Sequence, residues 1–154
     1  MNLNIVEYPD KKLREKSKEV KSFDSKLHEL LDSMYTIMMN TNGIGLAAIQ
    51  VAFPLRALIL NIPDEDGEQP DENLIEMINP VLSNYSGEIV YQEGCLSVPK
   101  FYEDVKRYSN ITLNYQDRDA NTITLEAEGL FAIAIQHEMD HLDGVLFIDK
   151  LVKG

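Results

Sequence analysis

Two histidines stand four residues apart in His137-Glu138-Met139-Asp140-His141, which has the pattern H-E-x-x-H. In an α-helix, residues i and i+4 lie about 40° apart around the axis and about 6 Å apart along it. Both imidazoles can therefore bind one metal ion from the same face, and Glu138 beside them can take a proton from water. The spacing predicts a metal centre that carries out a hydrolysis.

The surrounding sequence predicts a helix over residues 130–142 that opens at Gly129 and ends at Gly144, which is suited to a left-handed cap. Its first half is almost entirely apolar, so this helix should be buried on most sides. Burying two histidines with two carboxylates is costly unless they have partners, and a metal with hydrogen-bonded neighbours supplies them. The alternative is a chance pattern in which the histidines only form hydrogen bonds.

A catalytic site of this kind needs a third protein ligand. Phe147 occupies the position of the third histidine in the longer zincin pattern, and no glutamate follows His141. His28 falls among polar positions of another predicted helix, which indicates a surface residue. Cys95, the single cysteine of the chain, remains as the candidate.

Cys95 lies between predicted strands, after Gly94 and shortly before Pro99. The glycine lets the backbone approach closely, and the proline fixes the turn. As a thiolate, Cys95 would complete a Cys-His-His site with a fourth position open for water. Two alternatives are a small buried apolar side chain and a cysteine nucleophile with a histidine base. The second would leave H-E-x-x-H unexplained.

Another helix is predicted before the strands. Its apolar residues recur at helical spacing, Ser22 is the candidate N-cap, and the helix should end near Asn40, ahead of Asn42-Gly43. The apolar stripe consists of Phe23, Leu27, Leu30, Leu31, Met34 and Met38.

Short apolar or alternating segments between the two helices predict β-strands. They cover residues 57–62 and 74–82, the alternating residues Ile111, Leu113 and Tyr115, and the pair Ile123 and Leu125, with a turn at 117–121 and an acidic loop at 63–73. This order predicts an α+β fold. Mixed or antiparallel β-sheets should surround the buried central helix that carries H-E-x-x-H, with an N-terminal helix added.

The composition excludes several classes of function. The 154 residues are 44% hydrophobic and 26% charged, which fits one folded domain over 1–154. A net charge of −12 opposes direct nucleic-acid binding, and no segment approaches the roughly 18 apolar residues of a membrane span. Residues 1–10 lack signal-peptide features, and a lone cysteine suits a reducing compartment. We therefore expect a monomeric cytoplasmic protein that does not bind membranes.

Three motifs, in order along the chain, resemble those of the peptide deformylase family. Gly43-Ile44-Gly45-Leu46-Ala47-Ala48-Ile49-Gln50 resembles G-φ-G-φ-A-A-x-Q, in which φ is apolar. Glu93-Gly94-Cys95-Leu96-Ser97 resembles E-G-C-L-S, and the segment from Gln136 to Gly144 resembles Q-H-E-x-D-H-L-x-G. Tyr8-Pro9-Asp10 with Leu13-Arg14 is also similar, so the likeness spans nearly the whole chain.

The resemblance implies hydrolysis of the N-formyl group from the formyl-methionine of nascent bacterial proteins, with release of formate. It implies that Glu138 takes the proton of the attacking water and passes it to the leaving nitrogen. It also implies that the Gln50 amide and the Leu96 backbone N–H stabilise the oxyanion. The implied metal ligands are Cys95, His137 and His141. The implied ion is ferrous iron, with nickel or zinc as substitutes, whereas the ligand types by themselves fit zinc.

The methionine side chain would need an apolar wall beside the metal. Leu130, Ile133 and Ala134 lie seven, four and three positions before His137, on its face of the helix, and Ile44 is a further candidate. These residues are equally compatible with plain core.

The candidate substrate site also includes two glycines. Gly45, like Gly43, would let backbone pair with an extended peptide, and Gly94 belongs to the same candidate site. For the first motif, the alternative is a flexible turn with Gln50 as a surface amide.

Two departures from the family pattern concern partners. Many members have a glutamate and then an arginine at positions where this chain has Lys100, Phe101 and Tyr102. This difference is expected to affect contacts with the peptide beyond formyl-methionine. Many bacterial members also continue into a C-terminal helix associated with docking on the ribosome, whereas this chain ends at Gly154. We expect a catalytic domain without that extended helix. Either the sequence is shortened at this end, or the ribosome contact is weakened or different.

Two other functions stay open at this point. A general metallopeptidase would use the same helix motif and would cleave internal peptide bonds faster than a formyl group. A non-catalytic binding module would hold a structural metal, usually with four protein ligands rather than three.

Overall fold

Two α-helices and seven β-strands make up the computed structural model, which describes residues 1–151. In chain order they are α1 (Ser25–Asn40), β1 (Gly45–Ala47), β2 (Ala57–Leu60), β3 (Ile75–Ser86), β4 (Ile89–Cys95), β5 (Val98–Arg107), β6 (Asn110–Gln116), β7 (Thr122–Glu128) and α2 (Gly129–Leu142). Short 3₁₀ helices cover Lys11–Arg14, Ala48–Val51, Asp71–Asn73 and Phe147–Lys150. The predicted α+β class is confirmed.

The strands form a five-stranded sheet in the order β1-β2-β3-β6-β7 and a separate hairpin of β4 and β5. All of these strand pairs are antiparallel. Because β1 is the first strand in this order, one of its edges is not paired within the sheet. Gly45 in β1 lies close to Glu138 of α2, because a Cβ at Gly45 would be 2.8 Å from Glu138 Oε2.

β2 lies between two layers of core, one on each face of the sheet. Leu58 and Leu60 belong to the cluster that α2 covers, whereas Ala57 and Ile59 belong to the cluster that α1 covers. Successive side chains of a strand point to opposite faces, so a strand covered on both faces must be apolar throughout. All four residues are completely buried. This explains the continuous apolar run and makes α2 a central helix.

The hairpin of β4 and β5 is not predicted by the sequence patterns. Most of its residues are exposed, and only Glu93, Val98, Val105 and Arg107 are buried. Such a ribbon shows no regular alternation of apolar and polar residues, so its strands leave little local signal.

The predicted N-cap of the first helix is wrong. Helix α1 begins at Ser25, and the N-cap is Asp24, whose carboxylate accepts a hydrogen bond from the Leu27 N–H at 3.1 Å. Phe23 packs with the core beneath α1 without being helical, which made the helical spacing start too early. The predicted C-terminal end at Asn40 is confirmed.

Replacing Asp24 with alanine is expected to lower the free energy of unfolding by about 1 kcal/mol, because the Leu27 N–H loses its partner. Ser22→Ala is the matched control and should change it by less than about 0.5 kcal/mol, as an exposed substitution outside the helix. Urea denaturation of both variants measures the difference. Equal effects would contradict the assignment of the cap.

Gly144 follows α2 with a φ of 74°, as the sequence predicts for a left-handed cap. A Cβ there would lie 2.4 Å from the carbonyl oxygen of Arg14, so the close approach also requires glycine.

Neither helix within residues 1–151 has the length and apolar character that a membrane-spanning helix needs. The chain end, on which the expected lack of a C-terminal helix depends, includes residues 152–154 and lies outside the described residues.

Candidate metal centre

Three side chains from two elements meet beside β1. Helix α2 presents His137 and His141, and the last residue of β4 is Cys95. The two Nε2 atoms are 3.3 Å apart, and the Cys95 Sγ is 3.4 Å from His141 Nε2. All three ligand atoms lie within 4.8 Å of one another. The structure thus brings together the three residues that the sequence selected.

The spacing of these atoms fits a shared metal ion. In tetrahedral coordination with metal–nitrogen distances near 2.05 Å and a metal–sulfur distance near 2.3 Å, two nitrogens are about 3.3 Å apart and sulfur is about 3.6 Å from nitrogen. The observed separations of 3.3 and 3.4 Å are close to both values. One small cation could therefore be bound by all three groups with little movement.

His137 is oriented as a ligand by a carboxylate behind it. Its Nδ1 donates a hydrogen bond to Glu93 Oε1 at 2.8 Å, so the lone pair of Nε2 points toward Cys95 and His141. Burial disfavours charge on His137, yet Glu138, Cys95 and Glu93 together hold its pKa well above the usual value. The surroundings of Nε2 therefore attract a positive charge. Burial instead lowers the pKa of His141 well below the usual value. The imidazole therefore stays neutral and keeps a lone pair with which to bind a metal.

Glu138 points toward the same place as the ligand atoms. Its two carboxylate oxygens lie 3.9 Å from His137 Nε2 and 4.0 Å from His141 Nε2. Oε1 is buried and has no hydrogen-bond partner among residues 1–151. Burial raises the pKa of Glu138 to about 7, although the neighbouring His137 opposes this. A carboxyl group with such a pKa can both accept and release a proton near neutral pH.

Arg107 is the main buried residue that the sequence analysis missed. Its guanidinium donates two hydrogen bonds to Glu93, at 2.8 and 2.9 Å, and its side chain is 2% exposed. Burial disfavours the charge of Glu93, but the bonds from Arg107 and His137 lower its pKa to about 2. The chain therefore holds Glu93 as an ionised acceptor for His137. Only tertiary burial distinguishes Arg107 from the other basic residues nearby.

Gln50 and Leu96 are both neighbours of Cys95. Gln50 is 1% exposed, and its Nε2 lies 3.1 Å from Ser97 Oγ and 3.4 Å from Cys95 Sγ. Its Oε1 accepts a hydrogen bond from the Ala47 N–H at 2.9 Å, which fixes the direction of the amide. Leu96 follows Cys95 directly in the hairpin turn. The alternative of Gln50 as a surface amide is excluded.

A cavity of about 510 Å³ opens beside two of the candidate ligands, Cys95 and His137. It is lined by Glu138, Cys95 and His137, and by all six residues of the candidate substrate site, Ile44, Gly45, Gly94, Leu130, Ile133 and Ala134. The apolar residues of α2 that could have been plain core therefore line a space next to the ligand atoms. The cavity is also lined by Lys100 and Tyr102, two of the positions that depart from the family pattern, and by Tyr91, which the sequence analysis did not select.

Comparisons with known proteins match nearly the whole chain. The sequence profile of the polypeptide deformylase family matches residues 2–154. A peptide deformylase of Helicobacter pylori strain J99 is 58% identical over 149 residues, which cover 97% of this chain and 86% of that protein. The crystal structure of a Plasmodium falciparum peptide deformylase is similar with a TM-score of 0.92, at 36% identity and with 97% and 87% of the two chains covered.

A third similar protein was solved with a peptide bound. The peptide deformylase of Acinetobacter baumannii, with Met-Ala-Ser, has a TM-score of 0.90 and 29% identity. The similarity covers 98% of this chain and 99% of that one.

Proposed function

The chain belongs to the polypeptide deformylase family, and we propose that it hydrolyses the N-formyl group of formyl-methionyl peptides at one divalent metal ion. Cys95, His137 and His141 would bind that ion. The observation that carries the proposal is the convergence of these three ligand atoms within 4.8 Å, beside a buried carboxylate and a cavity. Three protein ligands leave a coordination position for water, which favours catalysis over a structural metal.

The substrate would lie along the outer edge of β1. An extended peptide can pair with the backbone of an edge strand, and the cavity next to Gly45 could receive the first side chain. Leu130, Ile133 and Ala134 would give that side chain an apolar wall, which suits methionine. The Acinetobacter baumannii structure holds Met-Ala-Ser, the peptide that would remain once the formyl group of formyl-Met-Ala-Ser is removed.

The chemistry divides between the ion and the residues around it. A divalent ion at this place, when bound, lowers the pKa of a water molecule and polarises the formyl carbonyl. Glu138 takes a proton from the attacking water and later gives it to the leaving nitrogen, so the products are formate and a free amine. The Gln50 amide and the Leu96 backbone N–H donate hydrogen bonds to the carbonyl oxygen as it gains negative charge.

Ferrous iron is the ion that we propose for the cell, with zinc or nickel able to occupy the same ligands. One thiolate and two imidazoles suit all three of these metals.

We further propose a single catalytic domain that acts as a cytoplasmic monomer on formylated nascent chains. The free thiol of Cys95 supports a reducing compartment.

Formate release from formyl-Met-Ala-Ser by anaerobically iron-loaded protein tests the function. Acetyl-Met-Ala-Ser is the matched control, because it differs by one methyl group on the carbonyl carbon. We expect formate from the first peptide and much slower hydrolysis of the second. A folded, metal-loaded protein that releases no formate, or that cleaves internal peptide bonds faster, would exclude this function and favour a general metallopeptidase.

Gly45→Ala is expected to lower kcat for formate release by at least about tenfold. A Cβ at this position would lie 2.8 Å from Glu138 Oε2 and 2.9 Å from a methyl carbon of Leu60, so the carboxylate must move. A displacement near 1 Å can cost about 100-fold in rate. Gly67→Ala is the control for kcat, because a Cβ there would have no neighbour within 4 Å and the strain at its φ of 78° falls on an exposed loop. An unchanged kcat in Gly45→Ala would contradict the close approach of Glu138 to β1.

A further inference from the structure

Two polar residues named in the third motif, Gln136 and Asp140, have no role in the proposed reaction. Each directly precedes one of the metal-ligating histidines, and they lie four positions apart, so they share the neighbouring face of α2. Both side chains reach the region of the β4–β5 hairpin. That hairpin is a sheet of its own, and it carries Cys95. The metal site is thus assembled from two parts of the fold.

Gln136 joins α2 to the chain at the end of the hairpin. Its Oε1 accepts a hydrogen bond from the Tyr108 N–H at 3.0 Å, and its Nε2 donates one to the Tyr108 carbonyl at 2.8 Å. A side-chain amide used in this way pairs with the backbone much as a neighbouring strand would. Gln136 is 7% exposed, so water competes little for these two bonds.

Asp140 joins α2 to the strand of Cys95 through Arg107. It accepts a hydrogen bond from Arg107 Nη1 at 2.5 Å and also contacts Lys150. The same guanidinium binds Glu93, which lies two residues before Cys95. Arg107 is almost completely buried, so water screens its two ion pairs, with Asp140 and with Glu93, only weakly. Arg107 therefore connects Asp140 on α2 to Glu93 on β4.

The tip of the hairpin is held by other parts of the molecule. Ser97 accepts a hydrogen bond from the Gln50 amide at Oγ and one from the Tyr8 N–H at its carbonyl oxygen. Within residues 1–151, the polar contacts between α2 and residues 89–108 are those of Gln136 and Asp140, the pair His137–Glu93, and Cys95–His141. When the contacts made by the metal ligands and Glu93 are set aside, the remaining direct polar contacts between α2 and residues 89–108 are those of Gln136 and Asp140.

We propose that Gln136 and Asp140 are positioning residues that hold the hairpin against α2 and so fix the distance between the Cys95 thiolate and the two imidazoles. The inference rests on the metal site proposed above. Bond lengths to the metal differ by only a few tenths of an ångström between productive complexes. A hairpin displaced by about 1 Å would therefore weaken or remove the thiolate ligand, while both histidines on α2 stay in place.

Cobalt substitution tests this inference in the full-length protein. Co²⁺ bound to a thiolate gives a sulfur-to-metal charge-transfer band in the near ultraviolet, which reports on Cys95 independently of activity. Gln136→Leu and Asp140→Asn should bind Co²⁺ about 10–100-fold more weakly and show a weaker charge-transfer band at saturation. Asp143→Asn is the matched control, because it makes the same change near the end of α2, where the carboxylate contacts Arg56 and not the hairpin.

The outcomes separate the two proposals. A wild-type protein that binds no Co²⁺, or binds it without the band, would overturn the metal site itself. Wild-type behaviour in the Asp143→Asn control and in both test variants would overturn the positioning role. Variants with a lower unfolding temperature but an unchanged band and affinity would also overturn it, since a purely structural role would suffice. If Gln136→Leu does not fold, Asp140→Asn, which keeps the size of the side chain, decides the question.

Discussion

Replacing Glu138 with glutamine is expected to lower kcat for formate release by about 10²–10⁴-fold, the usual contribution of a general base or acid. Glutamine keeps the size of the side chain but cannot accept the proton of water. The environment of Glu138 supports this role. Its carboxyl group is buried and lies within 4.0 Å of both imidazoles, and burial raises its pKa to about 7. Steady-state kinetics with formyl-Met-Ala-Ser, on protein loaded to the same metal content, measures the loss.

The control for this prediction separates the proton transfer from metal binding. The Glu138→Gln protein should still bind one metal ion, because the three ligands are other residues. Glu126→Gln, an exposed change on β7, should leave kcat within about twofold. Full activity in Glu138→Gln would assign the proton transfer to another group, and a loss of metal content would assign Glu138 to the ligand set.

Replacing His141 with alanine is expected to abolish stable metal binding. His141 is completely buried and lies within 3.4 Å of both other ligand atoms, so alanine leaves two ligands and a gap. The affinity should fall by more than the roughly 10–100-fold seen when only a ligand's hydrogen-bond partner is removed. Metal content after dialysis against a weak chelator measures this directly.

Thermal unfolding gives a second measurement of the same change. A metal present at 100 times its Kd stabilises a folded protein by about 2.7 kcal/mol, which corresponds to a rise in Tm of roughly 5–11 °C for a chain of this size. We expect wild-type protein to show this rise on metal addition and His141→Ala to show none. His28→Ala is the matched control, because His28 lies on α1, where its Nε2 is 3.0 Å from the Arg118 carbonyl oxygen. A metal-dependent rise in His141→Ala would exclude His141 as a ligand.

The candidate site could be selected from the sequence because its strongest signals are local. His137 and His141 share a face of α2 as a consequence of helix geometry, which is fixed once the segment is helical. The apolar run over residues 57–62 predicted a strand, and the structure shows that this strand, β2, is buried on both faces. Cys95 was reached by elimination, which was possible because the chain has so few candidate ligands.

The tertiary structure decided what depends on contacts between distant parts of the chain. The sequence pattern does not reveal that Arg107 is buried between Glu93 and Asp140, because a charged residue becomes buried only where partners from other elements meet it. The N-cap of α1 was misplaced because Phe23 packs with the core beneath that helix although it is not helical.

The hairpin of β4 and β5 shows the same limit most clearly. Its strands have few buried positions, so periodicity does not reveal them, yet they carry Cys95 to the two histidines. The sequence by itself determined which residues could form the metal site, since residue type and helical spacing are local properties. Only the tertiary structure decided how Cys95 reaches them, because that distance depends on contacts between distant parts of the chain. Arg107 of the separate sheet contacts Asp140 on α2, and Gln136 on α2 contacts Tyr108 directly after that sheet.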